Sequence, residues 1–269
     1  MPTPPEVVRT IVTYQDRTAA VRSRVETYAR TLWGSLGSWR DADIARMVAQ
    51  IVPVVSGAQM QMVALTDAYL NAIAVAAGLP IPTGATPARA VTGPATRGVD
   101  PREVYRRAGV TVWTALSEGK PLNAAVDEGL HRLLNLAGTD LQLAKTRTSL
   151  HRLRGDRTAA GYRRVLTGGE DCGMCVLAST QRYHREDLMP IHPGCDCDVA
   201  PIHGGVDPGQ VIDPDRLDAL HAAVQEQFGK SAADGREIDY RLIEVREHGE
   251  LGPVLTWRGQ HFDGPEAVA

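Results

Sequence analysis

At 269 residues with 43% hydrophobic content, the chain can bury one large domain or two moderate ones, which excludes disorder as its default state. A formal charge of −3 excludes any global drive toward nucleic acid or anionic membrane, so such binding would need a local patch. Aromatics make up only 5% while Ala, Val and Leu dominate the apolar set, a balance that favours helices packed through small and aliphatic side chains. The opening Met1-Pro2-Thr3-Pro4-Pro5-Glu6 lacks the basic segment and apolar run of a signal peptide, and no stretch reaches the roughly 20 unbroken apolar residues of a membrane span. A soluble chain made in the cytoplasm is expected, with no membrane partner.

Over residues 7–33 apolar side chains recur at helical spacing, most clearly Val21, Val25, Tyr28 and Leu32, with Arg22, Arg24, Glu26 and Arg30 opposite. The spacing predicts one long amphipathic helix. A second start signal stands at Ser38 with Asp41 three residues on, and Ile44, Val48, Ile51 and Val55 carry its apolar face toward Tyr69 and Ile73. Pro53 is expected to kink or split that helix. Residues 79–98 are rich in Pro, Thr, Gly and Ala and read as a long surface connection open to partner contacts. Asp100-Pro101-Arg102-Glu103 restarts helix, with Asp100 as cap and Pro101 in the first turn, and Tyr105, Val110, Val112, Trp113 and Leu116 as its buried face. A further helix runs from near Leu122 past Leu133 and Leu141 to Leu153, with Gly138 as its weak point.

Lys145, Arg147, Arg152, Arg154, Arg157, Arg163 and Arg164 form a basic run opposed only by Asp156. It reads either as a solvated helix face or as a surface for a phosphate backbone or an acidic partner; few aromatics are interleaved, so base stacking is not expected. Residues 162–166 look like a short strand. Asp213-Pro214 opens another helix, and strand-like pieces lie at 242–245 and 254–257.

All four cysteines fall in one window, Cys172-Gly173-Met174-Cys175 and His192-Pro193-Gly194-Cys195-Asp196-Cys197. In a reducing compartment two close pairs with a neighbouring histidine read as a metal-ligand set, and soft thiolates suit structural Zn. The first choice of ligands is Cys172, Cys175, Cys195 and Cys197, with His192 able to replace one of the second pair. Buried thiols, a disulfide and a redox pair are the alternatives; no βαβ pattern surrounds Cys172 to favour the last. Four protein ligands would close the site and make the ion structural. The whole reads as a mainly α N-terminal helical domain plus a small α+β, Cys/His-rich, zinc-finger-like C-terminal domain. Its divisions are residues 1–157, with a long surface loop at about 79–99, a Cys/His metal-binding module at 158–205, and a C-terminal helix with short strands at 206–269.

Cys172, Cys175, His192, Pro193, Cys195 and Cys197, led in by Arg163-Arg164-Val165-Leu166, resemble the window of Mu F-like minor head proteins of tailed bacteriophages, closest to the actinobacterial phage branch. The resemblance implies a non-enzymatic minor capsid protein that binds portal or major capsid protein and aids head assembly or genome delivery. It would sit in multiple copies in the virion, inside the capsid near the portal, after assembly in the host cytoplasm, with packaged DNA as a further contact of the basic run. A capsid maturation protease is the runner-up, although Ser117, Ser149, Ser179 and Ser231 lie in no nucleophile elbow. A zinc-dependent nucleic-acid binder is the third reading; Glu170, Asp171, Glu186, Asp187, Asp196 and Asp198 around the cysteines would repel phosphate.

Overall fold

The computed structural model describes residues 4–82, 84–166, 175, 178–179, 182–185, 197–204 and 206–208, together with the backbone of 243–248 and 252–257. The helix expected from Asp213 lies outside the described residues. The described chain is mainly helical, with a small three-stranded sheet.

Helix α1, Pro5–Gly34, buries Val7, Ile11, Tyr14, Thr18, Val21, Val25, Ala29 and Leu32, steps of three or four residues that keep one stripe on the core. Helix α2, Asp41–Ala76, continues the pattern through Ile44, Val48, Ile51, Val55, Met62, Thr66, Tyr69 and Ile73. It is long and apolar enough in composition to cross a membrane, yet Ile44, Val48, Ile51, Val55 and Met62 lie in the helical core and Tyr69 and Ile73 in a second buried cluster. Pro53 does not split it. Proline removes the bond to the carbonyl four residues back, here that of Ala49, and both residues are exposed, so the orphaned carbonyl faces water. Ser38 does not cap with Asp41: its amide and hydroxyl both donate to Asp43, at 2.8 and 2.7 Å, and the helix begins at Asp41.

After a 3-10 turn at Ala88–Ala90 and a four-residue helix α3, Pro94–Arg97, comes α4, Pro101–Ser117, capped as expected by Asp100, whose carboxylate accepts the Arg102 amide at 2.9 Å. Tyr105 and Val112 are buried, whereas Val110 and Leu116 are exposed. Helix α5, Leu122–Gly155, runs 34 residues unbroken through Gly138. The four long helices share one core. Two glycines set their spacing: a β-carbon on Gly109 would lie 2.7 Å from Ile44 Cγ1, and one on Gly129 would lie 2.5 Å from Val112 Cγ2. Only glycine allows those helix pairs to approach so closely.

Strand β1, Ala159–Val165, is central between β2, Arg182–Tyr183, and β3, Asp198–His203, all antiparallel. Val165 and Ala200 share a core cluster with Val7, Ile11, Tyr14, Tyr69, Leu70 and Ile73, so the sheet packs directly on α1 and α2. Strands β4, Ile243–His248, and β5, Gly252–Trp257, fall where strand-like pieces are expected and pair antiparallel.

Candidate functional site at the junction of sheet and helices

Two members of the cysteine window, Cys175 and Cys197, belong to the described residues, and both are buried. Cys172, His192 and Cys195 lie outside them. Among the described residues no group of three or more His, Cys, Asp or Glu side chains gathers as an ion site.

Cys197 leads into β3, and three contacts fix it. Its carbonyl accepts the Gln142 Nε2 donor of α5 at 2.9 Å, and its Sγ accepts an Arg164 Nη1 donor of β1 at 3.3 Å. The following residue, Asp198, meets Lys145 Nζ at 2.7 Å. Cys175 lies near Ala178 and Ser179 in sequence, and these two are tied to the sheet. Tyr183 Oη donates to the Ala178 carbonyl at 2.9 Å, and Arg163 Nη1 to that of Ser179 at 3.5 Å. Both described cysteines are buried, and the Arg164 guanidinium faces the sulfur of Cys197.

Beneath this junction the helices supply an aromatic floor. Tyr14 and Tyr69 stack at 4.1 Å between centroids, Tyr14 shares a 2.8 Å hydrogen bond with Thr66, and Tyr69 Oη donates to the Val199 carbonyl at 3.0 Å. Burial, then the charge of Asp198 and the neighbouring Tyr14, push the Tyr69 phenol well above its ordinary pKa, so it stays a donor. A groove of about 430 Å³ opens between α1 and α2 over Glu6, Arg9, Arg17 and Ala72.

The basic run does not lie on one face. Lys145 pairs with Asp198, and Arg164 is 1% exposed against Cys197. Arg152 is buried between the Gly84 and Pro82 carbonyls, Asn71 and Asp67. Arg163 meets Asp207 at 2.5 Å, and Arg147 donates to the Ala95 carbonyl. Burial and the nearby Arg97 lower the Arg147 pKa from its ordinary value. Arg154 and Arg157 are the exposed members. No spacing rule could have found these pairings, because the acids stand far from the cations in sequence.

The surface connection is clamped at both ends. Asp67 accepts the amide and hydroxyl of Thr86, each at 2.8 Å. Arg97 Nε donates to Asp140 Oδ1 at 2.6 Å, and Tyr105 Oη to Asp140 Oδ2 at 2.7 Å. Burial, followed by the Asp140 charge and hydrogen bond, holds the Tyr105 phenol protonated far above its usual range. Gln59 completes the clamp, donating to Thr96 Oγ1 at 2.9 Å and accepting the Gly93 amide at 3.0 Å.

His203 and the serines weighed as protease nucleophiles lie apart in the fold. His203 Nδ1 lies 3.4 Å from Thr158 Oγ1, and its Nε2 is 3.8 Å from Asp156. Ser117 is exposed and donates to its own helix at the Thr114 carbonyl, while Ser149 is buried in α5. Ser231 lies outside the described residues.

A family model described as VG15 protein matches residues 7–224, from the first turn of α1 through the cysteine window. No curated protein matches the chain, and neither does any solved structure.

Proposed function

The chain belongs to the VG15 protein family, a family of phage proteins, and on that premise we propose that it is a Mu F-like minor capsid protein of a tailed bacteriophage. The protein is phage-encoded. In this reading it is non-enzymatic, sits inside the capsid near the portal in multiple copies, and binds portal or major capsid protein during head assembly or genome delivery. The observation that carries it is the extent of the family match, which runs through helices and Cys/His window together. Both parts that the resemblance needs therefore belong to one phage protein. The long helices supply the contact surface, including the groove between α1 and α2. Packaged DNA is touched, without sequence reading, by Arg154 and Arg157, the exposed members of the basic run.

Four of Cys172, Cys175, His192, Cys195 and Cys197 hold one structural Zn that stiffens the junction. Zinc in such a closed site holds neighbouring segments together and performs no chemistry on a substrate.

Sedimentation of a phage lysate tests the assembly role. The protein should travel with assembled heads and remain with isolated portal after mild disruption. Recovery in the soluble fraction alone, with heads free of it, overturns the reading. Elemental analysis of the reduced protein tests the metal, with about one Zn per chain expected.

A further inference from the structure

We propose that the groove between α1 and α2 docks an acidic amphipathic helix of a partner protein, with its carboxylates on the arginines of α1 and its small apolar face on α2. The inference deepens the assembly reading above, on which it rests for where such a partner is met, by naming the chemistry of the segment that is bound.

The two walls of the groove differ in kind. On α2 the stretch from Met47 to Ala76 carries one charged side chain, Asp67, which accepts the Thr86 amide at 2.8 Å and lies 3.7 Å from Arg152. Met60, Ala64, Ala68, Ala72 and Val75 follow one another at steps of three or four residues, so they share one face, and all five are exposed. At its two ends Met60 and Val75 are 54% and 56% exposed. A helix on the surface of a globular protein ordinarily turns charge toward water. This face presents none, and its alanines leave room for a second helix to approach closely.

The α1 wall is cationic. Arg9 and Arg17 line the groove opposite Ala68 and Ala72, and Arg24 continues the row, its Nη2 donating to Gln61 Oε1 of α2 at 3.4 Å. Arg17 is exposed and has no charged partner among the described residues. The acid in the groove, Glu6, meets Arg9 at 3.7 Å with both side chains 70% exposed, a pairing that water largely cancels. Asp16 does not line the groove. The three arginines stand about two helical turns apart in a row about 22 Å long. A helix laid along them meets each one with a carboxylate at about every seventh residue, while small aliphatic side chains pack on Ala68 and Ala72. Nucleic acid fits less well, because a phosphate backbone would engage the arginines and leave the apolar wall uncovered, with Glu6 opposing it. A second copy pairing through this same face would set arginine against arginine.

The test titrates the full-length protein with a synthetic helical peptide of about 21 residues, long enough to span the row, with Glu at about every seventh position beside an Ala/Leu face. A second peptide carries Lys in place of Glu. The acidic peptide should bind, and more weakly as salt is raised. Arg9→Glu/Arg17→Glu should lower its affinity about 10-fold or more and turn the preference to the Lys peptide. Ala68→Arg, which fills the apolar wall and leaves the arginines in place, should abolish binding of both. These positions are exposed, so the variants should fold as the unaltered protein does, which circular dichroism checks. Equal affinity for the two peptides, no binding of either, or binding indifferent to the variants overturns the inference. A DNA duplex that displaces the acidic peptide and loses affinity in Arg9→Glu/Arg17→Glu assigns the groove to nucleic acid and overturns it too. So does a dimer, seen by sedimentation, that Ala68→Arg dissolves. Heads free of the protein overturn the assembly reading alone, whereas heads that contain a protein unable to bind the acidic peptide overturn this inference alone.

Discussion

Lys145 on α5 and Asp198 on β3 form a 2.7 Å ion pair with only 5% and 1% of their side chains exposed. The ammonium also lies 5.8 Å from the centroid of the Tyr14 ring, which stacks on Tyr69. Elements far apart in the chain, α1, α2, α5 and β3, therefore meet around one buried charge pair. Removing one partner takes from the other a buried counter-charge, and the penalty is set by the charge left in the dry site more than by the lost attraction.

Lys145→Met should accordingly destabilise the protein by about 3–5 kcal/mol. The double variant Lys145→Met/Asp198→Asn should recover part of the loss, because both charges of the pair are then gone. Urea denaturation of the three proteins checks this, and a single variant as stable as the double would contradict it.

Asp140 poses the same problem at the other clamp, since Arg97 and Asp140 expose only 6% and 7% of their side chains. Asp140→Asn should cost about 3–5 kcal/mol and loosen the connection that Arg97 anchors. Limited proteolysis should then cut within residues 79–93 faster than in the unaltered protein; an unchanged cleavage rate would show that Gln59 and Thr86 hold the segment unaided.

Two glycines of α5 should respond in opposite directions to alanine. At Gly138 the nearest atom to a new β-carbon is Arg22 Nη2 at 3.3 Å, the end of a flexible side chain, so Gly138→Ala should gain up to about 1 kcal/mol in helix propensity. At Gly129 the same carbon meets Val112 Cγ2 at 2.5 Å, Trp33 Cζ2 at 2.7 Å and the Ala108 carbonyl at 2.9 Å. Gly129→Ala should therefore lose about 1–3 kcal/mol despite the better helix former. Thermal unfolding of the pair reads the sign directly.

The Ser38 hydroxyl and amide, then the charge of Arg46, hold the Asp43 carboxyl below its ordinary pKa. A carboxylate that binds its proton more weakly when folded stabilises the fold above the unfolded pKa of about 3.9, and that contribution disappears as the pH falls through the lowered folded value. Carbon NMR titration should show the Asp43 pKa rising in Ser38→Ala, with the acid side of the stability profile flattening over that window. A titration curve unmoved by the substitution would assign the shift to the Ser38 amide and Arg46 instead.

Much of the helical scaffold was legible because burial follows a short period along each helix. The stripe of Val21, Val25 and Leu32, the Asp100 cap and the span of α5 are local signals that tertiary packing reinforced. Pro53 was misleading because its lost hydrogen bond faces solvent, a fact of packing rather than of sequence. Gly138 stood out by position in a helix, whereas Gly129 matters through Val112 and Trp33, which reach it only once α1, α4 and α5 assemble. The basic run had the spacing of an exposed stripe, yet Lys145, Arg152 and Arg164 turn inward toward groups 53, 81 and 33 residues away in Asp198, Asn71 and Cys197. The contact of Arg164 with the Cys197 sulfur depends on the register of β1 against β3, which no local spacing encodes.

Asp140 and Gln142 stand two residues apart on α5, the first gripping Arg97 and the second the carbonyl of Cys197. At 3.6 residues per turn their side chains leave the helix about 200° apart, so one turn is held from opposite sides like an axle between two levers. The 79–99 connection and the start of the strand that follows Cys197 are therefore anchored on opposite sides of the same turn of α5.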